Sequence, residues 1–243
     1  RGDLLNAVHH AFINFKQSKD LPYAELRFCG SMTLAMVLYA MGATGDADKI
    51  MAQSAEMLRK HAPFLLPNFQ ALKTARSIRA GNADAAKEWL LVYAHRTNNA
   101  LPFYQICRHF TTLRAHIGIG EYAVGVDFGK RLQQLALDYN RPLDQIESGI
   151  LIATALWRKG EKKGALKELA HAVTIAEPYG FTQQFINEGK EILPVLWELE
   201  QSRHTAPDSF VDRLTKAIYA KYNLLTAPNE KIMLSARQRD MLP

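Results

Sequence analysis

Apolar residues along the chain recur at the spacing of a helix. In the stretch QIESGILIATALWRKGEKKGALKELAHAVTIAEP, Leu151, Ile152, Ala155 and Leu156 form one stripe. Leu166, Leu169, Ala170 and Val173 form a second after an intervening polar turn, which predicts two amphipathic helices joined as a hairpin. Strand signals are nearly absent: no sustained period-two alternation occurs, and no Asn-Gly or Asp-Gly pair joins two β-branched runs.

The polar breaks are themselves periodic, and a repeat of this kind decides the fold. Glycine followed by Asp, Asn or Glu occurs at Gly2, Gly45, Gly81, Gly120 and Gly160, at separations of 43, 36, 39 and 40 residues. Pro22, Pro63, Pro102, Pro142 and Pro178 are separated by 41, 39, 40 and 36 residues, each 18 to 22 after its glycine. Glycine permits a tight turn after one helix, the acidic or amide residue suits the start of the next, and proline stops that second helix. The predicted unit is a helical hairpin of about forty residues. Small residues five positions after the turn glycine, Ala7, Ala86, Gly125 and Ala165, allow close approach of the paired helices, with Ile50 as the exception.

The hairpin around Gly160 resembles a tetratricopeptide repeat: Ala153, Gly160, Ala165, Leu169, Ala172 and Pro178 stand where that family places small, apolar or terminating residues. The other units are longer than that family's usual repeat. Leu38, Thr74 and Leu113 occupy its small-residue position in the first helix. The resemblance implies an all-α fold, a tetratricopeptide-like right-handed superhelix of antiparallel helical hairpins, the alternative being an irregular helical bundle. The first unit lacks a helix before Gly2, so the chain reads as starting mid-hairpin. The last hairpin, 181–222, turns through QSRHTAPDSF instead of a glycine. Residues 1–222 are thus the expected repeat domain and 223–233 a linker.

Residues 234–243, LSARQRDMLP, read as the start of another helix. Ser235 and Gln238 have the spacing of a capping box. This segment resembles the first turn of the DNA-binding domain of LuxR-family transcription regulators, with Leu234, Ser235, Arg237 and Leu242 matching and Gln238 in place of the usual Glu; the alternative is an ordinary capped surface helix. MalT-like members of that family place a superhelical domain before this motif and a nucleotide-binding switch module further upstream. The resemblance therefore implies the sensor region of such a regulator, cut short at the start of its helix-turn-helix. Its partner would be a small-molecule effector or a regulatory protein, with DNA reached only through the parent protein's C-terminal domain. A free-standing protein-interaction scaffold is the alternative.

Composition changes this picture little. The net charge of +6 is spread out, with no block of about five like charges of the sort that marks a nucleic-acid tail. No apolar run approaches the roughly 18 residues of a membrane span. With only Cys29 and Cys107 present there is no disulfide framework, and a reducing, cytoplasmic setting without membrane attachment is expected; self-association stays open. No catalytic constellation is recognisable, so an enzyme is not expected. His109 and His116 lie seven positions apart, about 10.5 Å along a helix, too far to share an ion. GATGDADK, residues 42–49, resembles a phosphate loop but ends in Asp-Lys without a preceding strand and reads as a hairpin turn. No metal or cofactor is expected in this stretch.

In tetratricopeptide-like hairpins the first helix lines the concave side. Counting back from the turn glycines makes Tyr39, Arg79, Phe110, Arg114, Glu147, Thr154, Trp157 and Arg158 the candidate ligand-binding residues. Aromatics beside cations suit a ring or apolar group flanked by a carboxylate, phosphate or hydroxyl array. The alternative for each is plain: the aromatics pack between hairpins and the arginines are solvated.

Overall fold

In a computed structural model, which describes residues 3–93, 101–202 and 206–226, the chain is all α-helical, with twelve α-helices and no strand among the described residues. They fall into two compact units, residues 3–69 and 70–226. In the first, α1 (Leu4–Lys19), α2 (Ala24–Ala40) and α3 (Thr44–His61) follow one another, α2 packing on both neighbours. The Asp3 carboxylate caps α1 by accepting the Asn6 N–H at 3.0 Å. Leu34, Ala35, Leu38, Ala47, Ile50 and Leu58 are wholly buried.

The boundary falls within α4 (Leu66–Arg79). The second unit continues with α5 (Ala83–Tyr93), α6 (Ile106–Gly118), α7 (Tyr122–Asp138), α8 (Pro142–Lys159) and α9 (Lys162–Ala176). It closes with α10 (Gln183–Glu188), α11 (Leu193–Gln201) and α12 (Asp208–Thr226). From α5 to α9 each helix packs on the next; α10 lies on α8 and α12, and α11 on α9 and α12. This is a tetratricopeptide-like stack of hairpins. Its main core joins Ile146, Ile150, Leu169, Val173, Phe185, Leu196 and Phe210. Glycines set the approach of α8 to its neighbours: a Cβ on Gly129 would stand 2.6 Å from Ile152 Cγ1, and one on Gly149 3.1 Å from the Ala172 methyl carbon.

The turns show why the repeat is legible and where its first reading slips. Gly42, Gly81, Gly120 and Gly160 all have φ between 82° and 89°. The residue after each donates its N–H to the carbonyl five positions back: Ala43 to Leu38, Asn82 to Ser77, Glu121 to His116 and Glu161 to Leu156, at 2.9 to 3.1 Å. This closure satisfies carbonyls that the ending helix leaves open and requires a left-handed residue, for which glycine carries no Cβ penalty. Gly45, chosen for the Asp after it, is the second residue of α3; the turn belongs to Gly42. The spacing then becomes 39, 39 and 40 residues. Two irregularities vanish with the correction: the close-approach position is the buried Ala47 instead of Ile50, and the first-helix small position is Ala35 instead of Leu38. GATGDADK is accordingly the turn between α2 and α3 with the first turn of α3. Gly2 lies outside the described residues.

The acidic and amide residues after the glycines do not all cap. Asn82 accepts the Ala85 N–H at 2.9 Å, but the longer Glu121 and Glu161 pair with His116 and Lys159. Each proline follows the second helix of a hairpin, and Pro142 is the first residue of α8. The first helix of the last hairpin is broken: α10 ends at Glu188, Gly189 takes φ 63°, ψ −132°, and a 3-10 turn leads to α11. A Cβ on Gly189 would fall 1.7 Å from Tyr222 Oη, so both its backbone and its neighbour demand glycine. α12 runs to Thr226, past the expected boundary at Tyr222. Residues 227–243, which hold the rest of the expected linker and LSARQRDMLP, lie outside the described residues.

Candidate functional site

Four charged side chains from four helices of the second unit meet at one point. Arg79 closes α4, Arg114 sits six residues before the Gly120 turn, Glu147 is in the second turn of α8, and Glu188 is the last residue of α10. Glu188 Oε1 accepts from Arg79 Nε at 3.2 Å, from Arg79 Nη2 at 3.1 Å and from Arg114 Nη2 at 2.5 Å. Arg114 Nη2 also reaches Glu147 Oε1 at 2.8 Å, and Arg79 Nη2 stands 3.9 Å from that oxygen. The side chain of Arg114 is 4% exposed and that of Glu188 10%.

Burial sets the stakes of this arrangement, because an ion taken from water without a partner costs several kcal/mol, of order 3–5 when one member of a buried pair is lost. Burial alone would raise the Glu188 pKa; the charges of Arg114 and Arg79 and their hydrogen bonds overcome it and hold the carboxyl at about 2. Burial alone would likewise lower that of Arg114, yet Glu188 and Glu147 hold it above the usual arginine range. Arg114 Nε is a further buried donor that has no hydrogen-bond partner among the described residues. On α12, the Lys221 ammonium is pushed below the usual lysine range by burial and by the Arg79 charge.

Over this cluster lies a groove of about 250 Å³. The ends of the first helices form its wall: Ile78 and Arg79 from α4, Arg114, Ile117 and Gly118 from α6, Leu151, Thr154 and Arg158 from α8. Asn82, Tyr122, Glu188 and Glu191 are also part of its lining. Arg158 and Glu191 pair with each other at the rim, each about half exposed. Thr154 is buried and donates its hydroxyl to Ile150 O at 2.9 Å, so it offers the groove an oxygen already committed as a donor.

Of the residues read from the sequence, Arg79, Arg114, Thr154 and Arg158 line this groove, and Glu147 joins it through its ion pair with Arg114. Phe110 does not: it is buried with Leu113, Phe128, Leu132 and Leu151. Trp157 packs against the main core with Lys162 Nζ 5.0 Å from its ring centre. Tyr39 belongs to the other unit, where its hydroxyl donates to Asp48 at 2.5 Å. Glu188, the anion at the centre of the cluster, was not among the candidates, nor were Glu191 and Tyr122. The usable signal for Glu188 was Glu-Gly-Lys-Glu, residues 188–191, a glycine interrupting an apolar helical run.

Of the two histidines weighed for a metal site, His109 Nε2 bonds Pro102 O at 3.1 Å, and His116 Nδ1 bonds Glu121 Oε2 at 2.7 Å. Among the described residues no helix is long and apolar enough to cross a membrane. In comparison with protein families, residues 1–202 match the MalT-like TPR region. No curated protein matches the chain.

Proposed function

The chain belongs to the MalT-like TPR region family, and we propose that it is the effector-sensing segment of a LuxR-family transcription regulator, taking a small molecule or a regulatory protein in the groove over the Arg79–Arg114–Glu147–Glu188 cluster. The observation that carries this reading is the convergence of charged side chains from α4, α6, α8 and α10 beside an open groove. A stack held together by apolar contacts alone has no need of a buried charge network, and such networks with groove access are characteristic of sites that recognise polar ligands. The segment LSARQRDML supports the regulator half of the reading, since its capping-box spacing and Leu-Ser-x-Arg start resemble the opening of the LuxR-type DNA-binding domain. In such a regulator DNA contact would belong to the helix-turn-helix, and the effector site to this segment.

The test is a thermal-shift screen of the chain against a metabolite library, with hits repeated on Arg158→Ala and Arg79→Ala. Hits that weaken in both variants, whose side chains are partly exposed and whose loss leaves Arg114 paired, support the groove. An absence of any hit that these variants alter removes the sensing role of this surface.

A further inference from the structure

We propose that the Arg79–Arg114 pair is an oxyanion site for the carboxylate or phosphate group of a small effector, which takes the place Glu188 holds in this structure and thereby frees α10. This rests on reading the groove as the effector site and names the chemistry that the site accepts.

Charge at the groove selects the class. The groove lining holds Arg79, Arg114 and Arg158 against Glu188 and Glu191, an excess of one cation, with Glu147 paired to Arg114 outside that lining. Guanidinium groups are the side chains best suited to bind carboxylate or phosphate oxygens through paired N–H donors. Glu188 already receives both arginines on a single oxygen, which is the contact an incoming oxyanion would make. Exchange is possible without stranding a charge, because Arg114 retains Glu147 at 2.8 Å while Arg79 turns to the newcomer. The reverse also holds. Glu188 cannot withdraw alone, since Arg79 would lose its closest anion and Arg114 one of two, in a place where unpaired charge is costly. Occupancy of the groove by an oxyanion and the position of Glu188 are therefore linked, and linkage acts equally in both directions.

The geometry also supplies the route outward. Glu188 is followed directly by Gly189, whose Cα lies so near Tyr222 that even a methyl group would overlap the phenol. The junction between α10 and the following turn thus bears on α12, the last described helix, and Lys190 Nζ holds the same Tyr222 ring at 5.0 Å. Movement of Glu188 displaces the support of Tyr222.

The experiment uses the whole chain, with inorganic phosphate and citrate as anionic probes, sorbitol as the neutral probe, and chloride at matched ionic strength as the control. Calorimetry gives affinity and hydrogen exchange reports on residues 183–191 and on α12. The expected result is that phosphate or citrate binds wild type weakly and raises exchange over 183–191. Glu188→Gln, which keeps the shape and removes the internal anion, should bind about tenfold tighter, and Arg79→Ala should lose binding. Circular dichroism checks folding. If Glu188→Gln does not fold, the wild-type exchange and Arg79→Ala decide by themselves. Anion binding equal in wild type, Glu188→Gln and Arg79→Ala, or none in wild type at millimolar concentration, overturns the proposal. A neutral ligand lost in Arg79→Ala would leave the sensing reading intact and refute the oxyanion; no groove ligand of either class refutes both.

Discussion

Alanine at Gly42 and at Gly45 should have opposite effects on stability. Both positions are exposed and an added Cβ would meet nothing within 4 Å at either, so packing does not contribute and the backbone decides. Gly42 has φ 82°. A left-handed residue with a Cβ costs about 1–2 kcal/mol, and the reduced freedom of the unfolded chain returns about 0.4–1 kcal/mol, leaving a net loss of about 1 kcal/mol. Gly45 is helical, in the first turn of α3. There the same substitution gains helix propensity, about 0.5 kcal/mol near a helix start against about 1 in an interior. For a chain of 243 residues the two variants should melt about 3–6 °C apart, at 2–4 °C per kcal/mol. Urea unfolding followed by circular dichroism supplies the free energies. Equal shifts, or a greater loss for Gly45→Ala, would mean that the α2–α3 turn is closed by the other glycine and that the repeat register given above is wrong.

Gly189→Ala should destabilise the last hairpin by more than about 2 kcal/mol, the cost of overpacking added to backbone strain, and in a Tyr222→Ala background only the backbone part should remain; a double-mutant cycle in urea shows whether it does. Gly129→Ala, whose Cβ would stand 2.6 Å from Ile152 Cγ1, should cost about 1–3 kcal/mol and be partly rescued by Ile152→Val; lack of rescue would place the strain elsewhere. The Glu188 carboxyl, held at about 2 against an ordinary 4.5, contributes stability above pH 4.5 that is lost as pH falls toward 2. Its charged partners are Arg79 and Arg114, both of which also reach Glu147. The stability difference between wild type and Glu188→Gln should therefore be greatest near neutrality and shrink through that acid window, and a difference independent of pH would show that Glu188 is not ionised in the fold.

The hairpins were legible because one physical requirement, a left-handed residue closing the first helix, stamps a glycine on the sequence at the four turns of Gly42, Gly81, Gly120 and Gly160. Gly45 was misread because a chemical rule, glycine before an acid, was used where a conformational rule applies; both glycines fit the composition, and only Gly42 has the backbone. Tyr39, counted six back from Gly45, stands three back from Gly42, the place Trp157 holds before Gly160. Arg79, Arg114, Thr154 and Arg158 were legible by that count because positions near the end of a first helix recur in the same place; Glu147, near the start of α8, joins them through its pair with Arg114. Phe110 was not, for periodicity marks a face without saying what covers it, and α6 is covered by α7 as well as opening on the groove. Glu188 escaped because no repeat predicts it: it arrives through a break in the last hairpin, at a glycine outside the periodic set.

A stack of hairpins ordinarily folds from near neighbours, each unit able to form or fray with little news reaching the others. The bond from Arg79 to Glu188 joins residues 109 positions apart. It should form late, once α4, α6, α8 and α10 are all in place, and contribute little to the folding rate while slowing unfolding. Its greater effect is on cooperativity. Fraying of the last hairpin would leave Arg79, at the start of this unit, and the buried Arg114 each short of an anion, so the end of the unit reports its loss to the unit's beginning. A linear polymer of repeats is thereby made to melt more nearly as one body, and any molecule able to substitute for Glu188 would loosen that coupling without breaking the stack.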